Sequence, residues 1–196
     1  MLRTAVYVDW DTARRLDPKK ENTIAGVGRA IARLQDAISR SLHRRDKRTK
    51  YRVHWRVYHG WHRGKTKTPD RLIFEQYSRE ARARTIDNVS FSTNFSFSGE
   101  LACSSHRSPI FDTLRQDHNS ANLAQKMVDT LLAVDLLHGV RIKDAELFIV
   151  VANDDDAIPA IFTAEAWKAQ VLLLHYREHT NPHLNLSGLA ERINLT

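Results

Sequence analysis

Two short apolar runs, residues 2–8 and 145–151, each stop abruptly and lead into aspartates: Asp9 after the first, and Asp154-Asp155-Asp156, beyond Ala152-Asn153, after the second. Runs of this length without a polar face predict strands buried on both sides, the mark of a parallel sheet covered by helices. In open parallel sheets, ligands bind beyond the carboxyl ends of the strands. If the two strands are neighbours, Asp9 meets Asp154 and Asp156 at one rim. Asp154 and Asp156 are two residues apart, so an extended segment would turn both to one side and Asp155 to the other.

The rest of the chain alternates strand and helix. Residues 22–43 place Ile24, Val27, Ile31, Leu34, Ile38 and Leu42 at helical spacing, with Asn22-Thr23 as cap candidates. Residues 51–58 alternate, Val53, Trp55 and Val57 on one face and Arg52, His54, Arg56 and Tyr58 on the other, as in a strand. Thr68-Pro69 opens a helix predicted to end near Arg84, because proline suits the first helical position. Residues 88–98 give a half-exposed strand whose phenylalanines belong to the core rather than to a base-stacking platform, and which suits a sheet edge or a hairpin. Helices are predicted at 126–138 and 157–169, a strand at 171–174 and a short terminal helix at 187–193. No linker or repeat divides the chain. The expectation is one α/β domain over 1–196, with a mainly parallel sheet, helices on both sides and a possible edge strand or hairpin insertion at 85–115.

With 42% hydrophobic and 27% charged residues, the 196-residue chain has the composition of an ordinary soluble protein. A chain of this size buries roughly 70% of its unfolded surface and needs no disulfide or structural metal to fold. Cys103 is the single cysteine, which excludes an internal disulfide and suits a reducing compartment. Asp9 interrupts the first apolar run too early for a signal peptide, and no run approaches the roughly 20 residues of a membrane span. The expectation is a cytoplasmic protein without a membrane partner.

The net charge of +7 is unevenly spread. Residues 40–71 hold 12 basic and 2 acidic residues, a local +10, whereas 126–196 hold 6 basic and 10 acidic, a local −4. One part attracts polyanions and the other concentrates carboxylates, a combination that nucleases need. Arg44, Arg45, Lys47, Arg48, Lys50, Arg56, Arg63, Lys65 and Lys67 are the candidate phosphate contacts, with Tyr58 and Trp61 as stacking candidates. The alternative for the run is a solvated face or a loose arm.

Two carboxylates about 4 Å apart repel by roughly 4 kcal/mol at an effective dielectric near 20, so a cluster of them invites a cation. Oxygen ligands select Mg²⁺ or Mn²⁺ over zinc. Asp135 falls on the core-facing stripe with Val128, Leu131 and Leu132, where it is a satisfied buried carboxylate, a supporting group or a ligand. For Asp155 or Asp156 alone, a helix cap is the competing role. Lys126, at a helix start, either touches phosphate or is solvated.

Taken together, Lys126-Met127-Val128-Asp129, Asp135, the strand ending in Asn153-Asp154-Asp155-Asp156 with Pro159, and the opening Asp9-Trp10-Asp11-Thr12 resemble the NYN domains of the PIN-like nuclease superfamily. Thr12 stands where the family usually has Asn, and Ala152-Asn153 where it has Ser-Gly. The resemblance implies a three-layer α/β/α sandwich and divalent-metal-dependent hydrolysis of phosphodiesters, usually of RNA. It implies Asp9, Asp129, Asp154 and Asp156 as the metal-binding acids, with Asp11, Thr12, Lys126, Asp135 and Asp155 in support.

Other constellations are weaker. His175, His179 and His183 recur every fourth residue, but Pro182 disfavours the helix that zinc binding would need. His59-x-x-His62 and Cys103-x-x-His106 are too short and isolated for a metal site, Gly26-x-Gly28 lacks the third glycine of a dinucleotide fingerprint, and Ser104-Ser105-His106 offers no nucleophile arrangement. The expectation is an endoribonuclease using Mg²⁺ or Mn²⁺. The alternatives are an inactive RNA-binding or scaffold module of the same fold, a DNA-cleaving relative, and a phosphatase for small molecules. A homodimer paired through the phenylalanine strand is also conceivable.

Overall fold

The computed structural model describes residues 1–98, 113–116, 122–176 and 190–192. In chain order the strands are β1 (Leu2–Asp9), β2 (Tyr51–Tyr58), β3 (His62–Arg63), β4 (Thr66–Lys67), β5 (Arg84–Ile86), β6 (Val89–Phe97), β7 (Leu114–Gln116), β8 (Leu123–Gln125), β9 (Leu147–Val151), β10 (Gln170–His175) and β11 (Ala190–Arg192). The helices are α1 (Trp10–Ala13), α2 (Ile24–Arg45), α3 (Pro69–Glu80), α4 (Val128–Arg141) and α5 (Ile158–Ala166).

Seven strands form one sheet in the order β11-β10-β9-β1-β2-β6-β5. Every neighbouring pair is parallel except β5–β6, an antiparallel pair at one edge. Alternation along the strands explains the two apolar clusters. Val6, Val8, Val53, Trp55, Val57, Ile149 and Val151 face α2, meeting Val27, Ile31, Leu34, Ile38 and Leu42. Ala5, Tyr7, Phe148, Val150, Val171 and Leu173 face the other way, onto Leu131, Leu132 and Leu136 of α4 and Ile161 and Ala164 of α5. The chain is thus α/β, with a mainly parallel central sheet and helices packed against it.

Helix α2 starts where expected, capped by the Thr23 hydroxyl on the Gly26 N–H at 3.1 Å. Several boundaries differ from expectation: α4 runs to Arg141 rather than 138, and α5 ends at Ala166 rather than 169. α3 stops at Glu80, because residues 84–86 are recruited as β5 against β6. Residues 190–192 form β11 beside β10 instead of a terminal helix, since the exposed edge of β10 offers unpaired backbone groups. Cys103, His106, His179, His183 and residues 99–112 of the proposed insertion lie outside the described residues. His175 is buried in β10, on a strand rather than a helix. Among the described residues, no helix is long and apolar enough to cross a membrane.

Candidate acidic site

β1 and β9 are adjacent and parallel, with Val8 opposite Val151, so both chains leave the sheet at the same rim. Asp9 ends β1 and caps α1, its carboxylate accepting from the N–H groups of Asp11 (3.1 Å) and Thr12 (3.0 Å) and from the Thr12 hydroxyl (2.5 Å). The Thr12 oxygen accepts in turn from the Asn153 N–H at 3.1 Å, and the Asn153 side-chain oxygen accepts from the Tyr176 N–H at 3.0 Å. Thr12 and Asn153 therefore stitch together the rims of β1, β9 and β10. Burial pushes the Asp9 pKa up, and Asp11 adds to this; the hydrogen bonds from Thr12 and Asp11 oppose it without reversing it.

Beyond β9 the chain does not remain extended. Asp154 caps a short 3₁₀ turn, Asp155–Ala157, accepting the Asp156 N–H at 3.3 Å. Strand alternation therefore does not place Asp154 and Asp156, and the cap is Asp154 rather than Asp155 or Asp156. The pair nevertheless faces a common neighbour. At the start of α4, Met127 adopts a left-handed conformation (φ 66°) and sets Asp129 in the first turn. The helix dipole favours a carboxylate there. Desolvation is the larger influence and raises the Asp129 pKa, reinforced by repulsion from Asp154, Asp156 and Asp11.

Asp11 links the two halves, since it repels both Asp9 and Asp129. Its carboxylate is held by Arg14 at 2.5 Å and by the Gln125 side-chain amide. The same Gln125 nitrogen lies 2.9 Å from His59 Nδ1, and His59 Nε2 lies 2.8 Å from Asp70, whose pKa this contact lowers. His59 therefore donates from Nε2 and accepts at Nδ1. Sequence spacing carried no signal for this network, whose members come from α1, the turn after β2, α3 and β8. The one available clue was that His59 follows β2, the other parallel neighbour of β1.

Asp135 is the satisfied buried carboxylate of its three possible roles. It is 2% exposed, accepts the Tyr58 hydroxyl at 3.0 Å, and its backbone carbonyl takes the Tyr7 hydroxyl at 3.3 Å. That settles Tyr58 as well: a ring 1% exposed and bonded inside the core cannot stack on a base. Trp61 is equally buried, donating its indole N–H to the Val57 carbonyl at 2.9 Å. Arg56 is inside too, paired with Asp144 at 2.7 Å beneath the Tyr7 ring. All three are withdrawn as nucleic-acid contacts.

The remaining cations do not form one surface. β2 runs parallel to β1, so Lys50 lies at the opposite rim from Asp9, where the Leu2 N–H donates to the Lys50 carbonyl at 2.7 Å. Arg44, Arg45, Lys47 and Arg48 belong to that far end. Arg63, Lys65 and Lys67 follow β2 in the β3–β4 hairpin, which leaves from the acidic rim; Lys67 is paired with Glu75 at 2.8 Å. The eight residues of β2 separate the groups by roughly 26 Å at about 3.3 Å per residue. Lys126 is half-buried just before α4, its backbone N–H donating to the Thr113 carbonyl at 3.0 Å.

Among the described residues, no three His, Cys, Asp or Glu side chains are gathered closely enough to hold a metal ion. The donor chemistry nonetheless suits a hard dication. Asp129, Asp154 and Asp156 are exposed and have no ion-pair partner among the described residues, so their rotamers can adjust without disturbing the core. No protein-family model, curated protein or solved structure matches the chain.

Proposed function

We propose that the chain is a divalent-metal-dependent endoribonuclease of the NYN type, with the three-layer architecture of PIN-like nucleases. The observation that carries this reading is the repulsion felt by Asp129 from Asp154, Asp156 and Asp11 at the carboxyl rim of a parallel sheet, with no cation among the described residues compensating the first three. Asp9, Asp129, Asp154 and Asp156 would hold Mg²⁺ or Mn²⁺. When bound, such an ion supplies an activated water and offsets charge on the leaving oxygen. Thr12 keeps Asp9 in register with the β9 loop, Arg14 holds Asp11, and Lys126 with Arg63 and Lys65 gives phosphates a place to rest.

Cleavage of a single-stranded RNA, followed with Mg²⁺, with Mn²⁺ and with chelator, tests this reading. Cleavage is expected to require the ion and to fall at least about 100-fold in Asp154→Asn and in Asp156→Asn. Undiminished cleavage in chelator or in both variants would remove the mechanism. The same strand as DNA decides between a ribonuclease and a DNA-cleaving relative. A second reading, an RNA-binding module without turnover, is favoured by the lack of a closed three-acid group among the described residues; tight RNA binding with no metal-dependent cleavage would establish it.

A further inference from the structure

His59 is a buried histidine, 5% exposed, to which the metal reading gives no part. It stands one residue beyond Tyr58, the partner of Asp9 across β1 and β2. Its ring packs edge-on against the Trp61 indole, with centroids 4.9 Å apart. On one side, Nε2 lies 2.8 Å from an oxygen of Asp70 in the first turn of α3, and the other Asp70 oxygen accepts from the Asn22 amide at 2.5 Å. On the other side, Nδ1 lies 2.9 Å from the Gln125 side-chain nitrogen. Asp11 is 3.7 Å from Nδ1, too far for a direct hydrogen bond, and the Gln125 amide bridges the gap by reaching Asp11 as well.

The order of protons along this chain follows from the groups themselves. A carboxylate only accepts, so Gln125 must turn its NH₂ group to Asp11, and the second hydrogen of that group goes to Nδ1. His59 is thereby held as the Nε2–H tautomer. Gln125 is itself placed by the fold. A Cβ at Gly60 would come within 3.2 Å of Gln125 Cγ and of Leu114 Cδ1, so the bare backbone at 60 lets the β7–β8 hairpin lie this close. Thr113 ties the base of the hairpin down, its hydroxyl accepting the His62 N–H at 3.2 Å and its carbonyl the Lys126 N–H at 3.0 Å. The other anchor of Asp11 is Arg14, whose side chain is 46% exposed and also approaches Asp70 at 3.6 Å. An exposed guanidinium leaves a carboxylate free to follow it into solvent, whereas a donor anchored on a buried ring does not.

We propose that His59 and Gln125 are positioning residues of the acidic rim: backed by Asp70, they fix the Asp11 carboxylate beside Asp9, where its charge adds to the attraction for a dication. His59 touches neither ion nor substrate and acts through Gln125 and Asp11. The proposal rests on reading the rim as a dication site and says which residues outside the four acids set its affinity.

The test has an arm without metal and an arm with it, both on the full chain. In chelator, ¹⁵N NMR is expected to find the His59 proton on Nε2, a displaced Nδ1 resonance in Gln125→Leu, and a displaced Gln125 side-chain amide in Asp11→Asn. In a Mn²⁺ titration, Gln125→Leu is expected to bind the ion about tenfold more weakly, and His59→Leu, which removes the acceptor from the other side, to lose about as much. The double variant Asp11→Asn/Gln125→Leu is expected to bind no more weakly than Asp11→Asn alone, because Gln125 acts only through Asp11. A wild-type proton on Nδ1, Mn²⁺ binding undiminished in both leucine variants, or losses that add in the double variant would each overturn the assignment. The two readings fail separately. A wild type that binds no Mn²⁺ removes the dication site, and the spectra in chelator still decide whether His59 and Gln125 hold Asp11; a wild type that binds Mn²⁺ as tightly as its leucine variants loses only the positioning role.

Discussion

Asp129 carries the clearest consequence at the scale of a single residue. Its folded-state pKa is raised, so its contribution to stability is greatest when it is protonated and is lost as pH rises through its folded-state pKa. In chelator, Asp129→Asn is therefore expected to be more stable than wild type at pH 7. The gain is on the order of 0.5 kcal/mol because solvent screens an exposed group, and it vanishes below roughly pH 4. Urea melts at pH 7 and pH 3.5 measure it. A variant less stable than wild type at pH 7 would mean that a favourable partner holds the carboxylate. Residue chemistry also explains why Asp135 was ambiguous: its place on the α4 stripe was legible, whereas Tyr58 as its partner depended on a strand 77 positions away.

At the scale of elements, the strands β1, β2, β9 and β10 and the helices α2, α4 and α5 were legible because each carries its own hydrophobic period. What the sequence concealed are features set by partners. α3 ends early because β6 takes residues 84–86 as a strand, and β11 forms because β10 has an open edge. The segment after β9 looked extended only as long as the Asp154 cap was unseen. The acidic rim itself was legible, since strand ends and parallel order suffice to place it. The Asp11–Gln125–His59–Asp70 chain was not, since no periodicity relates its members.

For the whole molecule, direction matters more than composition. A continuous basic stretch in sequence becomes two patches because β2 carries the chain from one rim to the other. Neutralising Lys47, Arg48 and Lys50 together is expected to weaken binding of long RNA and to lower its salt slope by about 2, at 0.7 per phosphate contact on a single strand. Oligonucleotides shorter than the roughly 26 Å between the rims should bind as before. Equal losses for short and long strands, measured by salt-dependent anisotropy, would show that both patches serve one path. The acidic rim makes the sharper claim, that its carboxylates close on a hard dication. Mn²⁺ titration followed by the EPR signal of the free ion tests this most directly. Saturable binding is expected, weakened at least tenfold by Asp129→Asn and by Asp154→Asn; absence of saturable binding, or binding that both variants leave untouched, would contradict the account.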